Sequence, residues 1–168
     1  MTSCNLIITM QYMMVLMDAD CLIKLTKSQL KELVCKNFSV VIPRVVKAEV
    51  IDNAQKHADA EIIKENVHKK MLTVHKRLSP SKKGEDAILT IYHQDPIDAV
   101  CSDDRRFIKR LRLLGIPYIT PSVFIALLLR NGQLTVKEAY ERLEALSPFV
   151  SESEYHTMKM ILENWRVP

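Results

Sequence analysis

Two short apolar runs in this chain end abruptly in aspartates: Val15-Leu16-Met17-Asp18-Ala19-Asp20 and Ala99-Val100-Cys101-Ser102-Asp103-Asp104. Each reads as a β-strand, and in an open α/β sheet the carboxyl ends of the strands are where ligands bind. Glu49 and the pair Glu85-Asp86 add acidic positions on segments that read as helices. Carboxylates converging on one sheet edge repel one another, so they stay ionised together only if cations join them. Hard divalent ions, Mg²⁺ or Mn²⁺, take all-oxygen ligand sets of this kind. The chain thus reads as a carboxylate metal site on an α/β scaffold. Without metal, waters or lysines are expected to offset part of the repulsion.

The order of segments supports that scaffold. A strand at 13–17 leads to a short helix at 21–25 and a second at 29–35, with Ser28 as its expected N-cap. The β-branched run 39–42 is closed by Pro43, which suits the first turn of a helix carrying Val45, Val46, Glu49 and Val50. Residues 52–70 read as a polar helical arm, 71–75 as a short strand, 79–84 as a loop and 85–93 as a helix. Asp95-Pro96 breaks that helix before a strand at 98–102. A further strand at 116–120, an apolar helix at 122–130 and amphipathic helices at 135–146 and 151–164 follow. Strands alternating with helices predict a mostly parallel central sheet flanked by helices on both faces. Length fits one domain over 1–168, with 1–12 as an N-terminal extension and 135–165 as C-terminal helices.

The net charge of +4 is modest, but the acidic residues named above are expected to cluster, leaving the remaining surface more basic. Arg105, Lys109 and Arg112 recur at i, i+4, i+7 directly after Asp104, with Arg106 and Arg110 alongside. Phe107, Leu111 and Leu114 share the period on another face. This predicts an amphipathic helix ending at Gly115, whose basic flank is either a solvated face or a track for a phosphate backbone.

Several chemistries are excluded. Three glycines (Gly84, Gly115, Gly132) leave no P-loop and no dinucleotide-binding turn. There is no nucleophile elbow and no H-E-x-x-H helix. The histidines form no i, i+4 pair and read as surface groups. Four cysteines lie far apart, so they read as structural thiols in a reducing cytoplasm, with Cys101 packed as a small hydrophobe. The apolar stretch 6–17 is too short to span a bilayer and lacks a basic leader and cleavage site, so neither a membrane anchor nor a signal peptide is expected.

Residues 14–20 followed by Leu22, the segment 43–49, Gly84-Glu85-Asp86-Ala87-Ile88-Leu89 and Ser102-Asp103-Asp104-Arg105-Arg106 resemble the signatures of PIN-domain nucleases. Gly115-Ile116-Pro117, then 120–132 and 148–162, are similar to the tail of prokaryotic PIN proteins related to the toxins of toxin–antitoxin pairs. The resemblance covers nearly all of the chain from Met14. It implies a metal-dependent ribonuclease directed at single-stranded RNA, with a small antitoxin protein as a candidate partner; homodimers are common in that family. Its first to fourth carboxylates would be Asp18, Glu49, Asp86 and Asp104, holding Mg²⁺ or Mn²⁺. Glu85, Ser102 and Asp103 would orient those ligands. Asp20 stands where the family often has Ser, Thr or Asn, and is either a ligand or an outer contact. Arg105, Arg106, Lys109 and Arg112 would hold the RNA.

Two alternatives remain at this level. Asp18-Ala19-Asp20 after a strand also resembles the D-x-D motif of haloacid-dehalogenase-type phosphohydrolases, in which Asp18 would be the nucleophile. Leu22, however, stands where that family places Thr. The other is a PIN module that binds its partner without catalysis.

Overall fold

The computed structural model describes residues 13–52, 58–76 and 83–166. Its strands are β1 (Met14–Met17), β2 (Ser39–Ile42), β3 (Thr73–Val74), β4 (Ala99–Cys101) and β5 (Tyr118–Ile119). Among the described residues these form one all-parallel, five-stranded sheet in the order β3-β2-β1-β4-β5. The connecting helices are α1 (Ala19–Lys27), α2 (Lys31–Asn37), α3 (Arg44–Lys47), α4 (Ala58–His68), α5 (Gly84–Gln94) and α6 (Arg105–Leu113). The chain continues through α7 (Val123–Arg130), α8 (Val136–Leu146) and α9 (Glu152–Glu163). The α/β architecture read from the sequence is the one observed.

Strand alternation divides the core into two layers. Val15, Met17, Val40, Ile42 and Cys101 point into one cluster with helical partners such as Leu22, Phe124, Leu143 and Leu162. Leu16, Val41 and Val100 point into the other, where Ile88 of α5 and Phe107 and Leu111 of α6 cover them. Both faces of the central strands are therefore dry, which is why the strands are apolar runs rather than alternating ones. From β1 the chain moves to β2 on one side, and it later returns to β4 on the other. The carboxyl ends of β1 and β4 thus flank the crevice at which the winding reverses, the position where open α/β sheets bind ligands.

Local details differ from the sequence expectations in instructive ways. Ser28 does not start α2. Its backbone N–H closes α1 on the carbonyl of Lys24, its hydroxyl bonds to the carbonyl of Leu25 at 3.3 Å, and Gln29 follows with φ of 56°. A tight turn between two helices leaves the serine finishing the first of them. The helix after Pro43 widens at Ala48–Asp52 into a π-type turn that carries Glu49. Strand β3 is confined to two residues, and Leu114 is half exposed, its expected place in the core taken by buried Ile116. Gly115 has φ of +66°, the left-handed backbone that ends α6 and lets the Ile116 N–H reach the Leu111 carbonyl at 2.9 Å. Within the helical arm, α4 buries Ala60 and Ile63. The proposed 1–12 extension and most of the 79–84 loop lie outside the described residues.

Candidate active site

Asp18 is the residue immediately after β1 and the N-cap of α1. Its Oδ1 accepts the Cys21 N–H at 2.8 Å, and its own N–H donates to the Cys101 carbonyl at 3.2 Å. The end of β1 is thereby laced to the end of β4. Asp104 repeats the device after the neighbouring strand β4, capping α6 through Oδ1, which accepts the Phe107 N–H at 2.7 Å. Between them lies fully buried Ser102, whose hydroxyl bonds to the Asp18 side chain and accepts the Asp104 N–H at 3.3 Å. One hydroxyl therefore bonds to the Asp18 side chain and to the backbone of Asp104.

Asp103 lies on the inner side of this turn. Its Oδ2 accepts from Lys24 Nζ at 2.6 Å, and Lys24 also pairs with Asp20 at 2.5 Å. Lys24 and Asp103 keep only 18% and 12% of their side-chain exposure, so solvent screens this pair weakly. Burial works against the Lys24 charge, but its bonds to Asp103 and Asp20 outweigh that and its pKa is raised. A lysine thus supplies the cation that the converging aspartates require. The sequence reading did not single out Lys24, although its i, i+4 spacing from Asp20 is visible in the chain.

Asp18 is held differently. Burial raises its carboxyl above the ordinary aspartate range; the Ser102 and Cys21 hydrogen bonds oppose the rise, and the charge of Asp103 adds to it. A raised folded pKa means a stabilising contribution that is full below the unfolded value of 3.8 and is lost as pH climbs through the folded one. Metal-free Asp18→Asn is accordingly expected to melt above wild type at pH 7, since asparagine keeps the cap without the buried charge. That gap should close as the pH approaches 3, and melting curves across pH would check it.

The other two carboxylates that the resemblance implies are Asp86 and Glu49. Asp86, in the first turn of α5, takes Arg110 of α6 at 2.8 Å, with Glu85 at 4.0 Å from the same guanidinium. Glu49 is exposed on the π-type turn and makes no ion pair among the described residues. Among the described residues no three His, Cys, Asp or Glu side chains stand close enough to hold one metal ion. Mg²⁺, however, is commonly bound by one or two carboxylates, with waters and substrate phosphates filling its octahedron. The all-oxygen set of Asp18 with its neighbours at the end of β4 fits that mode in donor chemistry.

A cavity of about 700 Å³ opens from Asp103 between α6, the end of β5 and α9. Arg105, Lys109 and Arg112 line it, so the i, i+4, i+7 spacing does gather three cations on one wall. Arg112 is braced by Tyr118: its Nε donates to the phenol oxygen at 2.8 Å and its guanidinium lies 5.4 Å from the ring centre. Arg105 and Lys109 have no ion-pair partner among the described residues, whereas Arg106 does not line the cavity. Glu154 of α9 also faces it, its Oε1 accepting the Ser122 N–H at 2.9 Å. No spacing ties Glu154 to the acidic motifs, and only the docking of α9 reveals it.

Cys21 and Cys101 are buried free thiols with raised pKa values, set chiefly by burial, and both pack rather than react. His75 is less of a surface group than expected, since its Nε2 lies 2.9 Å from Asp95 Oδ2. No helix among the described residues is long and apolar enough to cross a membrane.

A family model described as DUF3368, a PIN domain, matches residues 14–164. No curated protein matches the chain.

Proposed function

Because the chain belongs to the PIN-domain family, whose fold is of nuclease type, we propose that it is a metal-dependent endoribonuclease cutting single-stranded RNA at the crevice between β1 and β4. The observation that supports this reading is the Ser102 hydroxyl, which bonds to the Asp18 side chain and accepts the Asp104 backbone N–H, so tying the ends of the neighbouring strands β1 and β4 together. Asp18 and Asp104, with Asp103 beside them, would hold Mg²⁺ or Mn²⁺. Asp86 and Glu49 are the further carboxylates of the set, and Glu85 shares with Asp86 the task of holding Arg110. Bound there, the ion supplies a lowered pKa for the attacking water and offsets the charge that builds on phosphorus. Ser102 would orient the Asp18 carboxylate through its hydroxyl, and the Phe107 N–H would orient that of Asp104. Lys24 holds Asp20 and Asp103 in place. No side chain need act as nucleophile, which separates this reading from a phosphohydrolase using Asp18 covalently. In a cytoplasmic setting a small antitoxin or a second copy of the chain would be the partners consistent with the family.

Arg105, Lys109 and Arg112 would hold the RNA backbone beside the cut, with Arg106 outside the cavity as a weaker contact. Phosphate contacts carry little sequence information. Lys109→Ala with Arg112→Ala is therefore expected to weaken all RNAs alike and to flatten the salt dependence of binding. The change should be roughly 0.7 of a log–log slope unit per contact, about 1.4 for the pair. A salt titration of wild type and double variant measures it, and parallel lines of equal affinity would mean a solvated face only.

One observation favours a second reading, an RNA-binding module without cleavage: the carboxylates are dispersed, with Asp86 taken by Arg110. Incubating unstructured RNA with the protein in Mn²⁺, in Mg²⁺ and in chelator decides between them. Cleavage that requires the ion supports the nuclease; binding without cleavage in any condition supports the module.

A further inference from the structure

The geometry points to a guanine-selective nucleotide subsite in the cavity between α6 and α9, next to the proposed cleavage point. The inference rests on the ribonuclease reading for its substrate class, but it concerns walls that the carboxylate set does not use. At about 700 Å³ the cavity is within the range of sites that take small ligands. Its lining is divided by chemistry. Arg105 and Lys109, without ion-pair partners among the described residues, provide positive charge on the α6 side, suited to a phosphate. Ile108, Met158 and Ile161 provide apolar lining against which a base can lie. Ile161 keeps 39% of its exposure, a large aliphatic group left accessible beside a cationic wall. Such a pairing of charge and apolar surface suits a nucleotide better than a bare anion, because single-stranded RNA is read by splayed bases held on apolar faces and bonded along their edges.

Glu154 supplies the edge contact. The Ser122 N–H holds its Oε1 at 2.9 Å, so the side chain is fixed rather than free. A carboxylate is an acceptor with about four lone-pair sites, and this is the only side-chain hydrogen bond of Glu154 among the described residues. It can therefore accept only from a base that presents donors. Guanine offers N1–H and its 2-amino group side by side. Adenine and cytosine place a ring acceptor beside their amino group, and uracil flanks its single N–H with two carbonyls. The carboxylate selects guanine. The cavity includes Asp103, so a guanosine seated in it lies directly beside the β4 end of the crevice.

Titrating the metal-free protein with GMP, AMP, CMP, UMP and inorganic phosphate tests the assignment. GMP is expected to bind at least about tenfold tighter than the other four probes, the discrimination of one good bidentate contact. Glu154→Gln keeps an acceptor for Ser122 and replaces one carboxylate oxygen with a donor, so it should erase the preference while the protein stays folded. Ile161→Asn, polar but uncharged at an accessible position, should weaken all four nucleotides and leave phosphate binding unchanged. Equal affinity for every probe would overturn the subsite and leave a cationic wall. A protein that cleaves RNA yet shows no GMP preference loses the subsite and keeps the nuclease. One that selects GMP but never cleaves loses the nuclease and keeps the subsite.

Discussion

Asp18→Asn is expected to lower metal-supported cleavage of single-stranded RNA by on the order of a thousandfold or more, about 4 kcal/mol of transition-state stabilisation. The size follows from what the exchange removes. It withdraws the charge of the proposed ligand and changes almost nothing else, because asparagine caps helices as well as aspartate does and can still accept the Cys21 N–H. Circular dichroism should therefore superimpose on wild type while turnover disappears. The same variant should also lose any rise in melting temperature that Mn²⁺ gives the wild type, since a ligand stabilises only the state that binds it. Cleavage by the variant at the wild-type rate in metal would remove Asp18 from the ligand set and the proposed mechanism with it.

The second large effect is on stability. Phe107→Ala is expected to cost about 3–5 kcal/mol, the usual range for truncating a buried aromatic. Phe107 is 1% exposed and packs with Leu16, Ile88 and Leu111, fastening α6 to the sheet. Its backbone N–H is also the group that Asp104 caps. Because α6 carries the cationic wall, the variant should bind RNA less tightly at temperatures where it is still folded. Denaturant titration gives the first quantity and filter binding the second. A loss below about 1 kcal/mol would mean that α6 is held elsewhere.

How much of this was legible beforehand depended on whether a signal is local. Strand β2 runs over Ser39–Ile42 as read, because β-branched residues bounded by proline leave few alternatives. Helices α8 and α9 begin beside Thr135 and Ser151, whose hydroxyls accept the N–H of residues three further on. The acidic turn after β4 was legible as a motif but not in its division of labour. Asp103 and Asp104 are adjacent and chemically equal, yet one reaches inward to Lys24 and the other closes a helix. Which neighbour does which is set by how the chain leaves the strand, and composition does not record that. Lys24 needed only the i, i+4 spacing, but its place against Asp103 required β1 and β4 to be known as neighbours. Glu154 and the cavity were beyond reach for the same reason in stronger form, since they depend on where α9 docks. Asp86 was placed on its helix correctly, but its partner Arg110 comes from a separate element.

The two aspartates that start helices give the fold an unequal tolerance to drift. At Asp18 and Asp104 the oxygen that closes the helix needs only an acceptor, and serine, threonine or asparagine provides one. The proposed cleavage, by contrast, would need the charge. On the proposed reading, a lineage that exchanges either residue for such a substitute would keep its architecture, its abundance and its basic groove, and forfeit only turnover. Descent from such an enzyme to a silent RNA-holding relative would then take a single nucleotide change, GAC or GAT to AAC or AAT, with no folding barrier in its way.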